Sequence, residues 1–75
     1  MSINIEVFGS LETFTGFKSK NINIDRGSTI ENVKKMIGIP VNYPCVVLVN
    51  NIYVKTDKKL NNNESVKFLM NISGG

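Results

Sequence analysis

The sequence predicts an α+β domain in which a mixed sheet of four to five strands packs on one main helix. Three observations carry that expectation. Several short segments alternate apolar and polar residues, as half-buried strands do. A single stretch, residues 28 to 38, has helical spacing with start and stop signals at its ends. The order is strand, strand, helix, strand, strand, strand, and one helix covers one face of such a sheet.

Ile3, Ile5 and Val7 alternate with Asn4, Glu6 and Phe8, and the pattern ends at Gly9-Ser10. This is the first strand, with Phe8 on the face opposite the isoleucines. Leu11, Phe14 and Phe17 flank Gly16 in a less regular stretch expected to fold back over the core. Ile22 and Ile24 mark a second strand, closed by Asp25-Arg26-Gly27. In Ser28-Thr29-Ile30-Glu31 a serine precedes a glutamate by three residues, the spacing of a capping box. Ile30, Val33 and Ile37 then form one apolar stripe with Met36 beside it as core filler, while Lys34 and Lys35 take the wet side. Gly38 is placed to end the helix in a left-handed conformation, and Pro40 prevents its resumption. About nine residues of helix are too few to persist alone, so the stripe must lie on a sheet.

Cys45-Val46-Val47-Leu48-Val49 is the most apolar run and is expected to meet cover on both faces. Asn50-Asn51 joins it to Ile52-Tyr53-Val54 as a tight hairpin, because asparagine tolerates positive φ. Leu60 is an isolated apolar anchor, followed by the turn-like Asn61-Asn62-Asn63-Glu64. Val66, Phe68 and Met70 form one face of the last strand, Leu69 lies opposite, and Ile72 continues the period. The helical crossover permits one parallel pairing in an otherwise antiparallel sheet.

Composition narrows the function. With 75 residues the chain makes one domain, burying only about 60–65% of the surface its unfolded form exposes. There is no histidine, so the commonest general base and zinc ligand is missing, and no metal site or catalytic set is read. The single cysteine, Cys45, rules out an intrachain disulfide and is read as a buried, inert thiol. The net charge of +3 is spread along the chain, without the concentrated basic stripe that nucleic-acid binding needs. Lys55, Lys58 and Lys59 are read as solvated. No stretch approaches a membrane span, and Met1-Ser2-Ile3 lacks the features of a signal peptide. The expectation is a cytoplasmic protein with neither nucleic-acid nor membrane partners.

What remains is the end of the chain, Ile72-Ser73-Gly74-Gly75. The domain is expected to occupy residues 1–72 and a flexible reactive tail residues 73–75. With the strand order, this ending resembles the ubiquitin-like β-grasp fold, and within it the small sulfur carriers: the molybdopterin synthase small subunit and the thiamine-pathway carrier. Ile5-Glu6-Val7-Phe8-Gly9-Ser10-Leu11 is similar to the opening strand of the molybdopterin synthase small subunits. Leu60 with Asn63-Glu64-Ser65-Val66-Lys67-Phe68-Leu69 is similar to their anchor, turn and final strand. The Phe-Gly opening favours the molybdopterin side over the shorter thiamine carriers. One departure is clear: those subunits usually carry a proline pair where Met70-Asn71 stands here.

The resemblance implies a carrier and not an enzyme. An E1-like enzyme using ATP and magnesium would adenylate the terminal carboxylate of Gly75. A persulfide donor, fed by a cysteine desulfurase system, would then exchange AMP for sulfur and leave a thiocarboxylate. The molybdopterin synthase large subunit would receive that tail. Glycine suits such an end, since without Cβ Gly74 and Gly75 can enter a narrow channel and leave the attacked carbonyl open. Ile72, Phe8 and Leu69 are the candidates for partner docking, together with the outward residues of 45 to 49. A ubiquitin-like protein modifier would need the same Gly-Gly end, and an interaction module with an inert tail would need none of this chemistry.

Overall fold

The alternating segments form one five-stranded sheet, and the helical segment crosses its inner face. The structure is a computed structural model and describes residues 1–70. Strands β1 (Ser2–Val7), β2 (Ser19–Asn23), β3 (Cys45–Val49), β4 (Ile52–Val54) and β5 (Ser65–Met70) stand in the order β2-β1-β5-β3-β4. β1 and β5 are parallel, in register from Asn4↔Ser65 to Val7↔Phe68, and the other three pairings are antiparallel. A 3-10 turn over Gly9–Leu11 runs into the one-turn helix α1 (Glu12–Thr15), and the main helix α2 spans Ile30–Ile37.

The core follows from the two periodicities. Ile3, Ile5 and Val7 of β1, Val66 and Phe68 of β5, and Val47 and Val49 of β3 turn to one side of the sheet. There they bury against Ile30, Val33 and Ile37 of α2. Leu11, Ile24, Ile39 and Leu60 come from the connections and close the ends of this layer. Ile24 lies one residue beyond β2, so it is buried as a loop anchor and not as a strand residue. Leu11 carries the folding-back of its segment. Phe17 packs only partly on the core, and Phe14 is exposed, edge-on to Tyr43 with ring centroids 4.9 Å apart.

Three local expectations are corrected. The capping box is Thr29 with Asn32, not Ser28 with Glu31: Asn32 N–H donates to Thr29 Oγ1 at 3.2 Å, and Thr29 N–H donates to Asn32 Oδ1 at 2.9 Å. Ser28 turns back instead, donating its hydroxyl to the Asp25 carbonyl at 2.7 Å. The register moves because the loop after β4 supplies the helix start. Carbonyls of Lys58 and Thr56 accept from Ile30 N–H at 3.0 Å and Glu31 N–H at 2.9 Å, so two amides that a helix leaves free are satisfied by tertiary contact.

Lys34 does not take the wet side. It is 3% exposed, and its ammonium donates to the carbonyls of Tyr43 at 2.7 Å and Val41 at 3.1 Å. Met36, expected in the core, is 57% exposed. A helix that lies across a sheet and under a loop has a covered face wider than its apolar stripe, and the loop of residues 41–43 covers Lys34 and not Met36. The two glycine and asparagine signals hold. Gly38 closes α2 at φ +98°, and Asn50 and Asn51 form the hairpin turn at φ 50° and 67°.

Candidate functional site at the end of the last strand

Parallel pairing of β1 with β5 puts the C-terminal ends of both strands at one pole of the domain. Beyond Val7↔Phe68 the two chains stay joined, since Phe8 N–H donates to the Phe68 carbonyl at 3.0 Å. Phe8 and Leu69, both singled out in the sequence for docking, therefore meet there. With Gly9 and Met70 they line an open apolar depression of about 210 Å³. Phe8 is 41% exposed and Met70 38%, large side chains left partly uncovered where β5 ends.

Leu69 also belongs to an apolar half of the outer sheet face. Leu69 is paired across the ladder with Val46, and Leu48 with Tyr53. Val46, Leu48 and Leu69 are half-buried and Tyr53 is exposed, so β3 is not covered on both faces by its own chain. The β1–β2 half of the same face is polar. Asn4 Nδ2 donates to Asn21 Oδ1 at 2.9 Å across those strands. The outer face of the sheet is thus divided into an apolar half and a polar half.

Cys45 stands opposite Met70 in the β3–β5 ladder and is half-buried where full burial was expected. Among the described residues no cluster of three or more His, Cys, Asp or Glu side chains could hold a metal. No helix of the described residues is long and apolar enough to cross a membrane. Lys55 and Lys59 are exposed and Lys58 is partly covered. A larger open cavity of about 550 Å³, lined by Met1, Arg26, Gly27, Leu60, Asn61 and Asn62, lies at the opposite pole, where β5 begins. Ile72, Gly74 and Gly75, and the boundary between domain and tail, lie outside the described residues.

Sequence reasoning missed Gly9 and Met70 as part of this site. The Phe-Gly step after β1 was a usable signal, because parallel pairing with β5 sets residue 9 beside residue 70. Apolar surface is offered at this pole, and the four described residues that line the depression carry no acid, base or nucleophile.

The comparisons with known proteins agree with this reading of the fold. No curated protein matches the chain at the level of sequence. Among solved structures it is similar to SAMP1, a small archaeal modifier protein from Haloferax volcanii, at 14% identity and a TM-score of 0.74, covering 100% of both chains. It is similar to Urm1 from Trypanosoma brucei at 16% identity and a TM-score of 0.70, covering 99% of this chain and 95% of that one. The protein–protein complex of subunits 1 and 2 of molybdopterin-converting factor from Helicobacter pylori contains a further similar chain. That match has 14% identity and a TM-score of 0.66, covering 100% of both chains. At such identities these likenesses establish the ubiquitin-like β-grasp fold. The ThiS family model matches residues 5–75, nearly the whole sequence, and the chain therefore belongs to the ThiS family, with a ubiquitin-like sulfur-carrier fold.

Proposed function

We propose that the protein is a sulfur carrier whose C-terminal Gly75 is activated by an E1-like adenylating enzyme and converted to a thiocarboxylate, for use in molybdopterin assembly. The carrying observation is the family match running through residue 75, with Gly74-Gly75 as its last two residues. The apolar depression at the end of β5 supports it, because a partner seated there lies beside the start of the C-terminal segment.

The chemistry places few demands on this chain. A carboxylate is a poor acyl donor until its oxygen joins a good leaving group. The Gly75 carboxylate attacks the α-phosphorus of ATP and pyrophosphate leaves, with magnesium and catalytic side chains supplied by the partner. A persulfide sulfur then attacks the acyl carbon and AMP departs. Reduction of the acyl disulfide by a thiol leaves the thiocarboxylate. The carrier contributes the reacting end, unhindered because glycine has no Cβ, and a docking face that raises the effective concentration of that end. ATP and magnesium belong to the activating enzyme in this scheme, and a cysteine desulfurase system supplies the sulfur. A cytoplasmic location goes with the same reading. The likeness to subunit 1 or 2 in the Helicobacter pylori complex supports a molybdopterin synthase large subunit as the acceptor.

A second reading is favoured by the likeness to a small archaeal modifier protein: the adenylated terminus joins a lysine of another protein. One experiment separates the readings. The protein is incubated with a cognate adenylating enzyme, ATP and a sulfur donor, and its intact mass is measured. Exchange of oxygen for sulfur adds about 16 Da. Deleting Gly75 is expected to abolish the gain and leave thermal unfolding unaltered. Lysine-linked conjugates in place of that gain support the modifier reading, and an unaltered terminus with several active donor systems sinks both. Thiocarboxylate formation followed by transfer to a thiamine-pathway acceptor, with none to the large synthase subunit, redirects the carrier to the thiamine route.

A further inference from the structure

Where β1 ends, the ladder on that side of β5 loses its partner strand. Val7↔Phe68 is the last registered pair, and the chain then turns away into the 3-10 turn over Gly9–Leu11. β5 nevertheless continues to Met70. On the β1 side its last residue is held by a side chain. The Met70 thioether accepts the Ser10 hydroxyl at 3.1 Å and the Ser10 backbone N–H at 3.4 Å. Each is a weak hydrogen bond, sulfur being a poor acceptor, but both converge on one atom.

The turn is built to receive that atom. Gly9 sits at φ +64°, and a Cβ there would lie 2.9 Å from the Met70 sulfur, so the missing side chain is the space the thioether fills. The turn itself is held in place. Leu11 is wholly buried, Phe8 N–H donates to the Phe68 carbonyl, and the Thr13 hydroxyl donates to the Ser10 carbonyl. A flexible, 38% exposed side chain is thus lodged against a rigid piece of the fold. Packing alone does not account for this, since a leucine could cover the same apolar surface but could not accept either donor.

We propose that Met70 is a positioning residue: its sulfur, held on the Gly9–Ser10 turn, fixes the end of β5, the point from which the C-terminal segment continues. The inference rests on the carrier reading for its purpose. Adenylation needs the terminal carboxylate presented to an active site while the domain is docked at a distance. A fixed starting point narrows the volume that the terminal carboxylate must search.

The test uses the full chain, labelled with ¹⁵N, as wild type and as Ser10→Ala, Met70→Leu and the double variant. Ser10→Ala removes the hydroxyl donor without touching the lining of the depression, and Met70→Leu keeps apolar bulk while removing the acceptor. The amide heteronuclear NOE at position 70 is expected to fall in both single variants, and the double variant should be no lower than Met70→Leu alone. In the adenylation assay, read as pyrophosphate release, Ser10→Ala should lower kcat by up to about fivefold, the scale of one lost hydrogen bond, with KM nearly unchanged. An NOE at position 70 equal to wild type in Ser10→Ala and Met70→Leu overturns the proposal. So does an unchanged kcat where wild type is active. The NMR comparison decides the anchor even if no adenylating enzyme turns the wild type over, an outcome that would count against the carrier reading alone.

Discussion

Lys34 reaches under the loop that follows α2 and donates its ammonium to the Tyr43 carbonyl at 2.7 Å, tying helix to loop. The same group reaches the Val41 carbonyl at 3.1 Å. Replacing it with methionine would keep the length of the side chain but leave both carbonyls without their donor. The expected loss is about 1–3 kcal/mol, seen as a lower midpoint in thermal or urea unfolding. An unchanged midpoint for Lys34→Met would mean that the two carbonyls find water at no cost.

The start of α2 gives a comparison between adjacent residues. Thr29→Ala removes the cap acceptor and should cost about 1 kcal/mol. Ser28→Ala removes only an exposed hydrogen bond to the Asp25 carbonyl and should cost less than about 0.5 kcal/mol. Equilibrium unfolding of the two variants side by side checks the assignment, and a reversed order would restore the cap to Ser28.

Two glycines with positive φ should differ in tolerance. A Cβ on Gly27, at φ +84°, meets nothing within 4 Å, so Gly27→Ala carries only the backbone strain of about 1 kcal/mol. A Cβ on Gly38 would lie 2.7 Å from the backbone carbonyl oxygen of Phe14, which cannot swing aside as a side chain can. Gly38→Ala should therefore cost about 3 kcal/mol, strain and clash together. Similar melting points for the two variants would show that the α1 segment yields easily.

Phe8 offers the cleanest probe of the docking face, because it is exposed and lies just outside β1. Phe8→Ala should weaken binding to the adenylating enzyme by tenfold or more, the scale of an aromatic anchor worth about 2 kcal/mol, with little change in melting. Asn21→Ala on the polar half of the same sheet face should leave affinity unchanged. Calorimetric titration of both variants against wild type gives the answer. Equal weakening by the two would place the contact elsewhere.

Part of the candidate site was legible because it rests on short-range patterns. Phe8 and Leu69 could be placed on the outer side of their strands from alternation alone, and their meeting follows once β1 and β5 run parallel. The Ser10–Met70 contact was not legible. Its partners stand sixty residues apart, and nothing in either segment marks a thioether as the atom that a turn will hold. Lys34 was misplaced for a related reason. Helical periodicity places a residue on a helix face, but it does not say which loop will later cover that face.

What the sequence by itself determined are the features decided within a few residues. These are the strand and helix periods, the left-handed positions at Gly38, Asn50 and Asn51, and the Gly74-Gly75 ending on which the carrier reading rests. Only the tertiary structure decided which hydroxyl caps α2, which lysine is buried, and which side chain holds the end of β5. In each case the local alternatives differ by about a kilocalorie per mole, less than a loop or neighbouring strand contributes by supplying or denying a hydrogen-bond partner. The segment that packs nearby, and not the residue's own neighbours, therefore sets the outcome.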